Sequence, residues 1–301
     1  MRLFQRLALA ATTAVTLGSP VVSAQNSPPK DWASSVNLPR GEIPRKLFDG
    51  STLEGWRGKI GTHFNVVRNE IHAQSHGGRP NGAPRASTYL TSSTQHRHFR
   101  LLLEAKVDGE STVHTGIALL GKSTQYKEES DSYQGHLVMI HDARSSETTA
   151  NEWGLFELMR RNWLTGSVSG NWCPTKRARA SVEIAKVASA ASEDGWHQIE
   201  VLVYENTIRV GLNGFQIVDY VDPDPDLLEK GSIGLQLHWL SENDERSQRV
   251  RFRGLIVVDD PMSKELVTTT KTTTYMTKRE ETSVGEKNWV KSWRRKHLSQ
   301  T

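Results

Sequence analysis

The chain has 301 residues, 36% hydrophobic, 7% aromatic and 24% charged, a composition that lets a core form and excludes wholesale disorder. Its net charge of +4 is concentrated at the ends, since residues 262–301 hold nine lysines and arginines against four glutamates and the leader adds Arg2 and Arg6. The stretch between them is mildly acidic, which excludes a general attraction of the body for nucleic acid, and the lone Cys173 excludes an intramolecular disulfide.

In chain order, residues 1–24 come first: two arginines, an apolar run from Leu7 to Leu17, then Val22-Ser23-Ala24. This is the pattern of a signal peptide cleaved after Ala24. The alternative, a membrane anchor, needs about 20 consecutive apolar residues, and this run is shorter and broken by threonines. The expectation is a secreted or periplasmic protein with no membrane span. Residues 25–45 contain Pro28, Pro29, Pro39 and Pro44 without a period of either regular structure, and read as a linker or a surface-wrapping arm.

From residue 46 to 261, short apolar runs recur between Gly, Asn, Asp and Pro breakers, the pattern of an all-β body. Phe99, Leu101, Leu103 and Ala105 alternate with Arg100, Leu102, Glu104 and Lys106, so one face of this strand is dry. Trp196 to Tyr204, a turn at Glu205-Asn206, Thr207 to Leu212, a second turn at Asn213-Gly214 and Phe215 to Val221 predict a three-stranded meander. Asp222-Pro223-Asp224-Pro225-Asp226 alternates carboxylates but lacks the glycine and distal glutamate of a calcium loop, and reads as an exposed connection. Ile233 to Trp239 and Val250 to Val258 add two more strands. Two sheets packed face to face account best for this many strands without an internal repeat. Residues 262–301, rich in threonine and ending near Arg294-Arg295-Lys296, read as a solvated basic tail, with attachment to a wall or membrane surface as the alternative.

Five separated segments stand in order: Leu47-Phe48-Asp49-Gly50 with Gly55-Trp56, Thr115-Gly116-Ile117, Gly154-Leu155-Phe156, the Gly195-Trp196 meander, and Gly231-Ser232-Ile233-Gly234-Leu235-Gln236-Leu237-His238 followed by Val250 to Leu255. Together they resemble the family of secreted 3-keto-disaccharide hydrolases. The resemblance spans about residues 46 to 259 and implies a concanavalin-like jelly-roll sandwich acting on carbohydrate. Two stretches depart from it. Where relatives carry Glu and Gln on a central strand this chain has Leu137 and Met139, and where they read Asn-Ser-Gly-Ile-x-x-Arg it reads His114 to Leu120 without the Asn or the Arg. An activity that needs those side chains is put in question, so a binding module that kept the fold and lost the chemistry stands beside the hydrolase or lyase reading.

Strand alternation nominates what remains. If Ile117, Leu119, Val138, Ile140, Ile233, Leu235 and Leu237 face the core, then His114, Ala118, Leu120, Leu137, Met139, His141, Gln236 and His238 face the groove. The resemblance implies removal of a sugar C2 proton beside a ketone, work suited to an imidazole near neutral pH. His238 and His114 are the expected acid or base, His141 the third choice, and Gln236 the expected hydrogen-bond donor to the sugar. Arg161, Trp163 and Trp239 are candidate sugar contacts, the tryptophans as stacking platforms. A zinc site from His114, His141 and His238 is the alternative use of three imidazoles, but no His-x-x-x-His spacing supports it, and no cofactor is expected.

Overall fold

The computed structural model describes residues 31–75, 87–109, 115–126, 129–140, 154–158, 175–179, 190–192, 194–222, 229–240 and 246–269. Strands are numbered in chain order. One sheet runs β13 (Phe215–Val221), β12 (Thr207–Leu212), β11 (His197–Tyr204), β6 (Phe99–Gly109), β15 (Gln248–Asp259), β4 (Glu70–Ser75) and β3 (Phe64–Val67), with β1 (Arg45–Lys46) also paired to β15. The other runs β10 (Thr175–Arg179), β9 (Gly154–Leu158), β8 (Glu129–Ile140), β7 (Thr115–Tyr126), β14 (Gly231–Leu237), β5 (Thr88–His96) and β2 (Trp56–Arg57). Neighbouring strands are antiparallel throughout. The protein is therefore a two-sheet, all-β jelly-roll sandwich.

The core between the sheets follows the predicted alternation. Phe99, Leu101, Leu103 and Ala105 of β6 meet Ile117, Leu119, Val138, Ile140, Ile233, Leu235 and Leu237 of the other sheet in one buried cluster, because side chains two apart share a face of the pleat. The meander forms where expected: Asn213 and Gly214 both take left-handed backbone angles, φ 51° and 82°, as a tight hairpin turn requires.

Among the described residues alternation fails at one predicted position. Leu120, expected on the groove side, has φ 54° and packs in the core instead. Pairing between β7 and β8 shifts register from Leu119 to Lys122, and this bulge turns one side chain over. Just beyond it β7 and β14 come very close: a Cβ on Gly231 would stand 2.2 Å from the Gly121 nitrogen. The Gly121 N–H donates to the Tyr133 hydroxyl at 2.9 Å, and that hydroxyl donates to the Ser232 carbonyl.

The outer face of the eight-stranded sheet is bound by both ends of the described chain. On the N-terminal side Ala33 packs with Leu102 and Ile256, joined by Trp32, Val36 and Leu38, so the proline-rich arm wraps the surface. Arg100, fully buried, donates to Glu42 through Nε at 3.0 Å and Nη2 at 3.2 Å, and also to Glu200. Glu200 accepts in addition from Val267 N, Thr268 N and Thr268 Oγ1, while Arg100 donates to the carbonyls of Ser263 and Glu265. Residues 262–269, counted by composition with the solvated tail, thus form a strap on the folded body; the cause is a buried charge cluster that composition does not reveal. Residues 1–30 and 270–301 lie outside the described part.

Candidate functional site

The seven-stranded sheet turns a second set of side chains away from the core. Register places Gln236 of β14 opposite Tyr89 of β5, Gly234 opposite Ala118, Ala118 opposite Leu137, and Gly116 opposite Met139. Tyr89, Ala118, Tyr133, Leu137 and Met139 form a buried cluster of their own, separate from the main core. The parity expected for Ala118, Leu137, Met139 and Gln236 is therefore the parity observed. Exposure differs: Gln236 is fully buried, not open to solvent, and Tyr89, Leu137 and Met139 on the same face, which was expected to be a wet groove, are buried with it.

Gln236 is held at both ends of the residue. Its carbonyl accepts from Thr115 Oγ1 at 2.8 Å, and its Nε2 donates to the Tyr89 hydroxyl at 2.8 Å. Its Oε1 is buried and accepts no hydrogen bond from the described residues. Tyr89 leans on Tyr133 with ring centroids 5.4 Å apart, and burial pushes its phenol well above the usual range, so it stays protonated and neutral.

His238 follows two residues after Gln236, just past the end of β14. It is half-buried, and its carbonyl accepts from Gln248 Nε2. Burial pushes its imidazole down to about 4, against a smaller opposing effect of a hydrogen bond with the Trp239 backbone. At neutral pH the ring is therefore uncharged, and the same burial makes it a weaker base than a free imidazole. Trp239, 37% exposed, has its ring centroid 5.8 Å from that of His238.

His114, His141, Arg161 and Trp163 lie outside the described residues, as does the loop with Cys173. Among the described residues no three His, Cys, Asp or Glu side chains gather as a metal site, and no helix is long and apolar enough to cross a membrane. Sequence reasoning missed Tyr89 and Tyr133. The alternation of β5 puts Tyr89 opposite in sense to Leu90, so its face was readable, but its pairing with Gln236 depends on which strands are neighbours. It also missed His136, whose Nε2 lies 3.4 Å from Asp222 Oδ2 with both side chains buried; Asp222, read as part of an exposed connection, is inside.

A family model described as the 3-keto-alpha-glucoside-1,2-lyase-like domain matches residues 44–257. Among solved structures, a Parabacteroides distasonis protein provisionally described as a glycosyl hydrolase is 15% identical with a TM-score of 0.45, over 72% of this chain and 93% of that one. A carbohydrate binding module of Bacillus subtilis is 10% identical with a TM-score of 0.41, over 68% and 96%. The β-glucanase of Bacillus licheniformis is 11% identical with a TM-score of 0.43, over 73% and 98%. No curated protein matches the sequence.

Proposed function

The chain belongs to the 3-keto-alpha-glucoside-1,2-lyase-like domain family, and on that premise we propose that it is an exported enzyme that opens the glycosidic bond of 3-keto-glycosides with His238 as the proton acceptor. The observation that carries this reading is a neutral, half-buried imidazole placed two residues from Gln236, whose buried Oε1 has no partner among the described residues. A ketone at C3 of a sugar acidifies the C2 proton. The His238 imidazole takes that proton, the C2–H electron pair moves onto the C3 oxygen as an enolate, and its return expels the C1 substituent, leaving a C1–C2 double bond. The departing oxygen takes a proton. Water adding across the double bond restores C2–H and puts a hydroxyl on C1. Stopping before that addition is a lyase reaction and completing it is a hydrolysis. General base catalysis of this kind contributes roughly 10²–10⁴-fold.

A second reading is favoured by one feature. The apolar side chains of Leu137 and Met139 beside Ala118 and the two tyrosines suit a module that binds carbohydrate without turning it over. A chromogenic 3-keto-α-glucoside separates the two. Enzyme predicts aglycone release by the purified protein and a loss of roughly 10²-fold or more in His238→Ala with the fold retained. Unchanged turnover in that variant removes His238 from the mechanism. Saturable sugar binding with no release establishes the binding module.

A further inference from the structure

We propose that Gln248 is a positioning residue for the candidate site: it reaches across the gap between the two sheets and fixes the peptide on which the His238 imidazole and the Trp239 indole hang. This deepens the reading of His238 as the proton acceptor and rests on it. Gln248 opens β15 and shares the parity of Val250 and Phe252, so its side chain points between the sheets, where it is buried. A polar side chain in that place needs a partner. It finds one just past the end of β14, in the opposite sheet, where its Nε2 donates to the His238 carbonyl. Only one end of the carboxamide can make this bond, because a backbone carbonyl accepts and the amide oxygen has no proton to give.

The bond falls where it has leverage. Leu237 before the pair and Leu240 after it are buried, so His238 and Trp239 form a two-residue excursion between two apolar pegs. The peptide joining them is planar, and a donor holding its oxygen sets the plane of the whole unit. Both rings depend on that plane. The imidazole hydrogen-bonds with the Trp239 backbone, and its centroid stands 5.8 Å from that of the indole. Without Gln248 the pegs still keep the segment at the end of β14, but the plane of the peptide between them loses its donor. Ser75 supplies a contrast: it lies opposite Gln248 in the register of β4 and β15, points the same way and is equally buried, yet its hydroxyl bonds no described residue.

The test compares Gln248→Met, which keeps the length of the side chain and loses the donor, with Ser75→Ala as the control, both in the full mature chain. The first readout is the titration of the His238 ring by NMR, its signal identified by its absence from His238→Ala. In Gln248→Met the ring should titrate above about 4, toward 6.5, because a loosened segment lets water reach it and burial is the larger cause of its depression. The second readout is turnover of the chromogenic 3-keto-α-glucoside: kcat should fall roughly tenfold with KM changed less, as when a reacting group is misplaced. Ser75→Ala should move neither. If Gln248→Met titrates and turns over as the unaltered protein does, or if Ser75→Ala moves both as far, Gln248 positions nothing, although the functional reading stands. If the unaltered protein does not convert the sugar, the functional reading fails, and the His238 titration decides the role of Gln248 by itself. Hydrogen exchange of the Gln248 carboxamide, read on the unaltered protein, needs no variant to fold: exchange as fast as that of an exposed glutamine would overturn the bond, and the proposal with it.

Discussion

The guanidinium of Arg100 lies against the carboxylate of Glu200 with neither side chain exposed, and the N-terminal arm and the C-terminal strap both converge on that pair. Glu42 brings the arm and accepts the Ser263 N–H at 3.1 Å. One cation thus serves two buried carboxylates, and the strap's backbone N–H groups supply further donors to Glu200.

Removing the strap should destabilise the body where removing the tail does not. A chain ending at Pro261 strips Glu200 of the Val267 and Thr268 donors and Arg100 of two carbonyls, and buried polar groups left unmatched cost about 1–3 kcal/mol each. Its melting temperature should fall by several degrees or more, while a chain ending at Thr269 should melt close to the full mature protein. Equal melting of the two would mean that the strap adds nothing. The comparison matters for any test of surface attachment, because a cut at Pro261 confounds lost tethering with lost stability. The cut after Thr269 removes the basic segment alone; if that segment is an anchor, the shortened chain should be lost from the cell surface while melting as before.

Arg100→Met should be among the most damaging single changes in the body. It leaves the carboxylates of Glu42 and Glu200 buried without their cation, and breaking a buried ion pair from one side costs about 3–5 kcal/mol. Urea denaturation should register the loss as a lower midpoint. Replacing all three residues together by apolar ones should recover part of it, since no charge is then stranded.

His238 predicts a pH dependence with a definite sign. Its folded value of about 4 lies below the ordinary histidine value of 6.5. Between those two the unfolded chain holds a proton that the folded chain does not, so stability is complete above about 6.5 and is lost as pH falls toward 4. His238→Phe should flatten the stability profile in that window. If His238 is the proton acceptor, the acid limb of kcat/KM should fall near 4; a limb near 6.5 would assign the proton to another group.

Processing of the leader is checked on protein recovered from outside the cytoplasm. Cleavage after Ala24 predicts a mature chain that begins at Gln25. Intact mass spectrometry reads this directly, and an exported chain that still carries Met1 would contradict it.

Much of the fold was readable because its signals are local. The dry face of β6, the Glu205-Asn206 and Asn213-Gly214 turns and the inward set of β14 each follow from a few neighbouring residues, and parity alone put Leu137, Met139 and Gln236 on one face. Leu120 was not readable, since nothing in its own strand announces the register shift that turns it inward. The strap was not readable either: Ser263 to Thr268 is polar in composition, and it is the buried Arg100, Glu200 and Glu42 beneath it that give its backbone a place to bond.

The sequence by itself determined the strand faces away from the β7 bulge, the tight turns and the family, because pleat alternation, backbone preference at glycine and asparagine, and motif order need no knowledge of distant residues. Tertiary structure decided what each face holds. Tyr89 and Gln236 stand 147 positions apart, and whether an amide nitrogen on that face is free or taken depends on which strands become neighbours, a matter of long-range pairing that no local pattern encodes.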